Sequence, residues 1–166
     1  MFPEIPPWEG MHVLIVHIPI GVLAVAPVLV LIAAFRVKCY RALLFSALVL
    51  MAIGSIGAFM ATDSGGDAAR AISPEVYDKN PTLGEAIHEH AGLAKDTRNA
   101  FTGLTLLLAV LLVIPMIMKG RWTPRMETIA LVIFLVACAG AELLLINAGH
   151  AGGRLVHEFG VLAKFH

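Results

Sequence analysis

Charge is scarce in this chain. Asp, Glu, Lys and Arg make up 14% of 166 residues, while 58% are hydrophobic. A soluble domain carries about 25% charged residues and roughly 45–50% apolar ones. So little polar surface excludes an ordinary water-soluble domain and points to one integral membrane domain spanning residues 1–166. The charges present are balanced, 12 basic against 12 acidic, so no basic field exists to hold nucleic acid. Cysteine is almost missing. Cys39 and Cys138 lie far apart and form no C-x-x-C pair, no zinc spacing and no C-x-x-C-H haem attachment site. They read as membrane-packed thiols. Basic residues are absent from the opening "MFPEIPPWEG", which carries Glu4 and Glu9 instead, so a cleaved signal peptide is not expected there.

Long apolar runs are abundant. Four segments, about 11–35, 42–61, 86–118 (most apolar over 101–118) and 126–146, are long enough to cross a ~30 Å hydrocarbon core as helices. The expected fold is all-α, a four-helix transmembrane bundle. Pro19, Pro27 and Pro115 fall inside these segments, where proline is tolerated and tends to kink a helix. The link after the first segment holds Arg36, Lys38 and Arg41, and the link before the fourth holds Lys119, Arg121 and Arg125. The positive-inside rule places both in the cytoplasm. Glu127 is the only acid beside them. Both termini and the 62–85 connection then face the periplasm of a bacterial inner membrane. "TDSGGDAA" (62–69) reads as a helix stop and turn. Trp8 and Trp122 read as residues of the two interfacial belts.

All seven histidines fall on that outer side. His12 and His17 begin the first helix, His88 and His90 begin the third, and His150 and His157 follow the fourth, with His166 last. Three separate segments thus bring imidazoles to one depth. Helix bundles build cofactor sites from facing helices, and neutral imidazole is a common axial ligand of haem iron. Within each pair the spacing is unfavourable for a local clamp. Five residues separate His12 from His17, about 140° on a helix, and two separate His88 from His90, about 200°. His150 and His157 would share a face on an unbroken helix, but Gly149, Gly152 and Gly153 argue against one. Ligands from different helices fit better. Glu142 lies inside the fourth segment, where an acid marks a proton relay, a quinol contact or a partner for a histidine N–H. Arg98, near the outer end of the third, is a candidate partner for a haem propionate. Asp63 is a candidate buttress for a histidine. The two halves echo each other as a parallel repeat of low residue identity, each starting with outer histidines and turning on a basic loop.

"HVLIVHIPIGVL" and "GGRLVHEFGV" carry a resemblance. They resemble the two signature blocks of a family of small bacterial membrane proteins known as a domain of unknown function, with H-P-x-x-V-H-F-P-I-A-L on helix one and G-G-x-L-V-Y-x-H-G-V after helix four. His12, Val16, His17, Pro19 and Ile20 match the first block. Gly152, Gly153, Leu155, Val156, Gly160 and Val161 match the second. Val13 stands where the family has proline, His157 where it has tyrosine, and Phe159 where it has histidine. Members occur joined to cytochrome-like domains, so the resemblance implies redox work.

The sequence therefore leads to a membrane b-type cytochrome binding one or two non-covalent haems. The candidate ligands, in order, are His17, His90, His88, His12, His150 and His157. Such a chain is an electron-transfer subunit rather than a stand-alone enzyme. It would work between a periplasmic cytochrome or dehydrogenase and quinone or another subunit of a membrane complex. Two alternatives remain open: a histidine-rich protein binding copper, zinc or iron, and a cofactor-free structural subunit.

Overall fold

A computed structural model describes residues 8–118 and 120–161; Lys119 and His166 lie outside the described residues. Among the described residues there are six α-helices and no strand: α1 (Trp8–Ile15), α2 (His17–Ala34), α3 (Tyr40–Arg70), α4 (Pro74–Lys79), α5 (Leu83–Ile117) and α6 (Pro124–His157). Four stretches are long and apolar enough to cross a membrane: Met11–Ala34, Tyr40–Arg70, Leu83–Ile117 and Pro124–His157. The first is split at Val16, which forms a turn between α1 and α2. Pro19 supplies the reason, because it has no N–H to satisfy the Ile15 carbonyl.

Three helices are longer than the apolar runs alone imply. α3, α5 and α6 have 31, 35 and 34 residues, or roughly 45–55 Å each at ~1.5 Å per residue. The expected stop at 62–69 does not occur, and α3 continues through Gly65 and Gly66 to Arg70. The doubt raised by Gly149, Gly152 and Gly153 is likewise overturned, since α6 runs unbroken to His157. Packing between helices outweighs the ~1 kcal/mol that each glycine costs a helix interior. The 62–85 connection therefore contains the last turns of α3, the short α4 and the first turn of α5.

The long helices form a ring in the order α2, α3, α5, α6, with α1 continuing α2 against α3. Leu23, Val30, Met51, Phe101, Leu108, Phe134 and Cys138 fill the centre at 1% exposure or less. α2 and α3 approach closely because Gly54 lacks a side chain; a Cβ there would sit 2.5 Å from Leu23 Cγ and Cδ2. Most large exposed side chains are apolar, among them Ile56, Leu106, Ile133 and Val136, which is the surface a lipid environment requires. At the basic-loop end, Arg36 pairs with Glu127 at 2.8 Å and lies over the Tyr40 ring. At the opposite end a second, smaller core joins Leu83, Ala86 and Leu155 to Tyr77 and Phe159. Gly160, at φ +67°, turns the chain there so that the Val161 N–H reaches the Leu155 carbonyl at 3.0 Å.

Candidate functional site

His12 on α1 and His90 on α5 meet across the bundle. Their ring centroids are 6.3 Å apart and their planes cross at 77°. Both side chains are half-buried. His90 Nδ1 lies 3.1 Å from the Ala148 carbonyl of α6. A carbonyl can only accept, so Nδ1 carries the proton and donates it. His12 Nδ1 lies 3.2 Å from Ser64 Oγ of α3. The Ser64 hydroxyl gives its own proton to the Ala61 carbonyl at 3.2 Å, so Oγ accepts from His12. Each Nδ1 thus carries a proton, and in the neutral ring the Nε2 lone pair is left for a ligand.

Each ring also rests on a glycine. A Cβ on Gly65 would come 2.9 Å from His12 Cε1, and one on Gly152 would come 3.0 Å from His90 Cε1. These are the glycines that favour a helix break in the sequence. In the fold they are the floors on which the imidazoles lie.

The two halves of the site are related by an internal repeat. An offset of 78 residues carries His12 onto His90, and with them Leu23 onto Phe101, Ala26 onto Leu104 and Val30 onto Leu108, all of them buried. An offset of 87 carries Ala61 onto Ala148, Ser64 onto Ala151 and Gly65-Gly66 onto Gly152-Gly153. The pair sits where the two hairpins face each other. "ATDSGG" and "AGHAGG" share A-x-x-[SA]-G-G, a signal too short to find without knowing that Ala and Gly lie under a histidine ring.

The depth of the pair follows from helix rise. From Ala34 back to His12 is 22 residues, about 33 Å, and from Ile117 back to His90 is 27 residues, about 40 Å. A hydrocarbon layer of ~30 Å beginning at the basic-loop end stops about 3 Å short of His12 and about 10 Å short of His90, measured along each helix.

The other candidate residues stand apart. His17 is exposed, and its Nδ1 bonds the Val13 carbonyl of the preceding α1 at 2.6 Å. His88, His150 and His157 are exposed. Arg98 lies over the Phe59 ring at 4.7 Å and bonds Thr62 Oγ1 and Asn99 Oδ1, with no acid among its partners in the described residues. Asp63 is exposed, and its neighbour Ser64 is the residue that holds His12. Glu142 is half-buried, with Oε1 buried and unpartnered. Sequence reasoning missed Ser64, Gly65 and Gly152; helical spacing across two segments could not reveal them. Among the described residues no group of three or more His, Cys, Asp or Glu side chains converges on a metal position. Comparison with family models, with curated proteins and with solved structures gave no match.

Proposed function

We propose that this chain is a membrane-anchored b-type cytochrome holding a non-covalent haem between His12 and His90. The facing pair of imidazoles carries the reading. His12 and His90 would hold the group through Nε2, the nitrogen that Ser64 and Ala148 leave free on each ring, and this requires the two rings to face each other at short range. The observed separation is 6.3 Å. The helices that flank the pair present small residues at this level: Ala61, Ser64, Gly65 and Ala68 on α3, and Ala148, Ala151 and Gly152 on α6. Small residues are what a wide planar group between two helices requires.

The haem supplies a reversible one-electron couple when bound. The protein's own groups do the rest. The Ala148 carbonyl and Ser64 Oγ fix both tautomers and aim the rings. Gly65 and Gly152 set ring height. Arg98, with no acid among its partners in the described residues, is the cation nearest in kind to what a propionate needs. Basic loops inside and the histidine end in the periplasm follow from the positive-inside rule. That orientation puts the centre at the outer rim of the bilayer, within reach of a periplasmic donor or acceptor. Electrons would pass between that partner and quinone or another membrane subunit. The family resemblance, with its cytochrome-like fusions, agrees in kind.

The metal-handling alternative would place an ion between the same two rings, with no third His, Cys, Asp or Glu converging there among the described residues. The test is a visible spectrum of the purified protein. Dithionite should bring up the α-band of low-spin bis-imidazole haem, and acidified acetone should extract the haem. His12→Ala or His90→Ala should abolish the low-spin form, while His17→Ala should leave it. A featureless spectrum with stoichiometric copper overturns the haem reading in favour of the metal one, and neither haem nor metal leaves a structural subunit.

A further inference from the structure

Between Thr128 and His157, Glu142 is the only acid of α6. Its Oε1 is buried without a hydrogen-bond partner among the described residues, yet the side chain is only half-buried, and its neighbours Leu143 and Ile146 are 63% and 62% exposed. A polar atom left unsatisfied at this depth is costly, and an intramembrane acid is retained for function more often than for packing.

The repeat explains why the partner is missing. The 87-residue offset carries Ser55 onto Glu142. Ser55 Oγ bonds Thr105 Oγ1 of α5 at 3.0 Å, closing a polar contact between α3 and α5. The 78-residue offset carries Thr105 onto Pro27 of α2, which has neither a hydroxyl nor an N–H to offer. One half of the molecule thus closes a polar pair, and the position equivalent to Thr105 in the other half offers Glu142 no such partner. α2 and α6 are also the least closely packed neighbours in the ring of helices.

We propose that Glu142 hydrogen-bonds the oxygen-bearing ring of a lipid-soluble quinone or quinol that enters between α2 and α6. A carboxyl group in its acid form both donates and accepts, which suits either redox form of such a ring. The depth decides the ligand class. Glu142 lies six residues, about 9 Å of helix rise, below Ala148 and within the hydrocarbon. Glu142 lies 18 residues, about 27 Å of rise, from Pro124, inside the outer edge of the ~30 Å core, so its ligand must travel in the apolar layer and carry oxygen near that edge, as a quinone head on an apolar tail does. The same ~9 Å places it close beneath the imidazole pair. The proposal rests on the haem reading for its redox meaning, though not for the binding itself.

The test measures quinone and haem in the same sample. Protein purified in mild detergent is extracted with solvent and its quinone quantified; affinity for an added short-chain quinone analogue is then titrated. Wild type should retain quinone and bind the analogue. Glu142→Leu, which suits the lipid phase and inserts readily, should weaken binding about 3- to 10-fold, the range for one lost hydrogen bond. Glu142→Gln, which still donates and accepts, should recover most of it. Haem content should be equal in all three. Equal quinone affinity in wild type and Glu142→Leu overturns the proposal, as does a wild type that carries haem and binds no quinone. A wild type that binds quinone through Glu142 but carries no haem overturns the cytochrome reading alone.

Discussion

Gly54→Ala should destabilise the bundle although alanine is the better helix former. In a helix interior the exchange by itself gains roughly 0.5–1 kcal/mol. At Gly54 the new Cβ would sit 2.5 Å from Leu23 Cγ and Cδ2 and 2.9 Å from Val22 Cγ2. Carbon atoms in contact prefer about 3.5–4.0 Å, so the overlap approaches 1 Å. Leu23 has 0% exposure and packs within the central core, which leaves it no free volume to swing into. α2 and α3 must part instead, at the roughly 1–3 kcal/mol typical of overpacking. Gly103 of α5 is the matched control, because nothing lies within 4 Å of its Cβ position. Gly103→Ala should gain the propensity term without the clash, so the two variants should differ by about 1–3 kcal/mol. Reversible unfolding in mixed micelles, followed by circular dichroism as SDS is raised, measures that difference. The double variant Gly54→Ala/Leu23→Ala should lose less than the sum of its parts, because the smaller residue vacates the space that the new methyl needs. A Gly54→Ala protein as stable as Gly103→Ala would refute the close approach of α2 and α3.

The imidazole floors give a second expectation: Gly65→Ala and Gly152→Ala should displace the rings of His12 and His90 and shift their ring ¹⁵N resonances, whereas Gly153→Ala, with open space around its Cβ, should not. Ser64→Ala should cost about 0.5–1.5 kcal/mol through the lost hydrogen bond to His12, seen as a lower SDS midpoint, and should free His12 to change tautomer, seen in the same ¹⁵N spectrum. A reporter inserted in the loop at Gly120 should read cytoplasmic and one placed after the last residue periplasmic; the reverse would sink the orientation.

The sequence by itself determined the class of this protein. Runs of about 20 apolar residues can only be satisfied as helices in lipid, and four of them bring the start of α1, the start of α5 and the end of α6 to one end of a bundle. It also showed that His88 and His90 must point in opposite directions, since two residues on a helix are about 200° apart. It could not say which of them faces inward. Periodicity fixes angles between residues of one helix, while the rotation of that helix is set by what it packs against. His12 therefore displaces His17 at the centre of the bundle, because the turn at Val16 and the contact with Gly65 aim α1 at α3, and His17 is left bonded to Val13. The glycine pairs misled for a related reason. Local propensity counts Gly65 and Gly152 as helix breakers, but an imidazole from a neighbouring helix needs the space of their absent side chains. Ser64 and Ala148 became functional candidates only when α3 and α6 brought a hydroxyl and a carbonyl to Nδ1 of each ring. Those contacts span 52 and 58 residues, and no local pattern encodes a hydrogen bond between helices that distant in the chain.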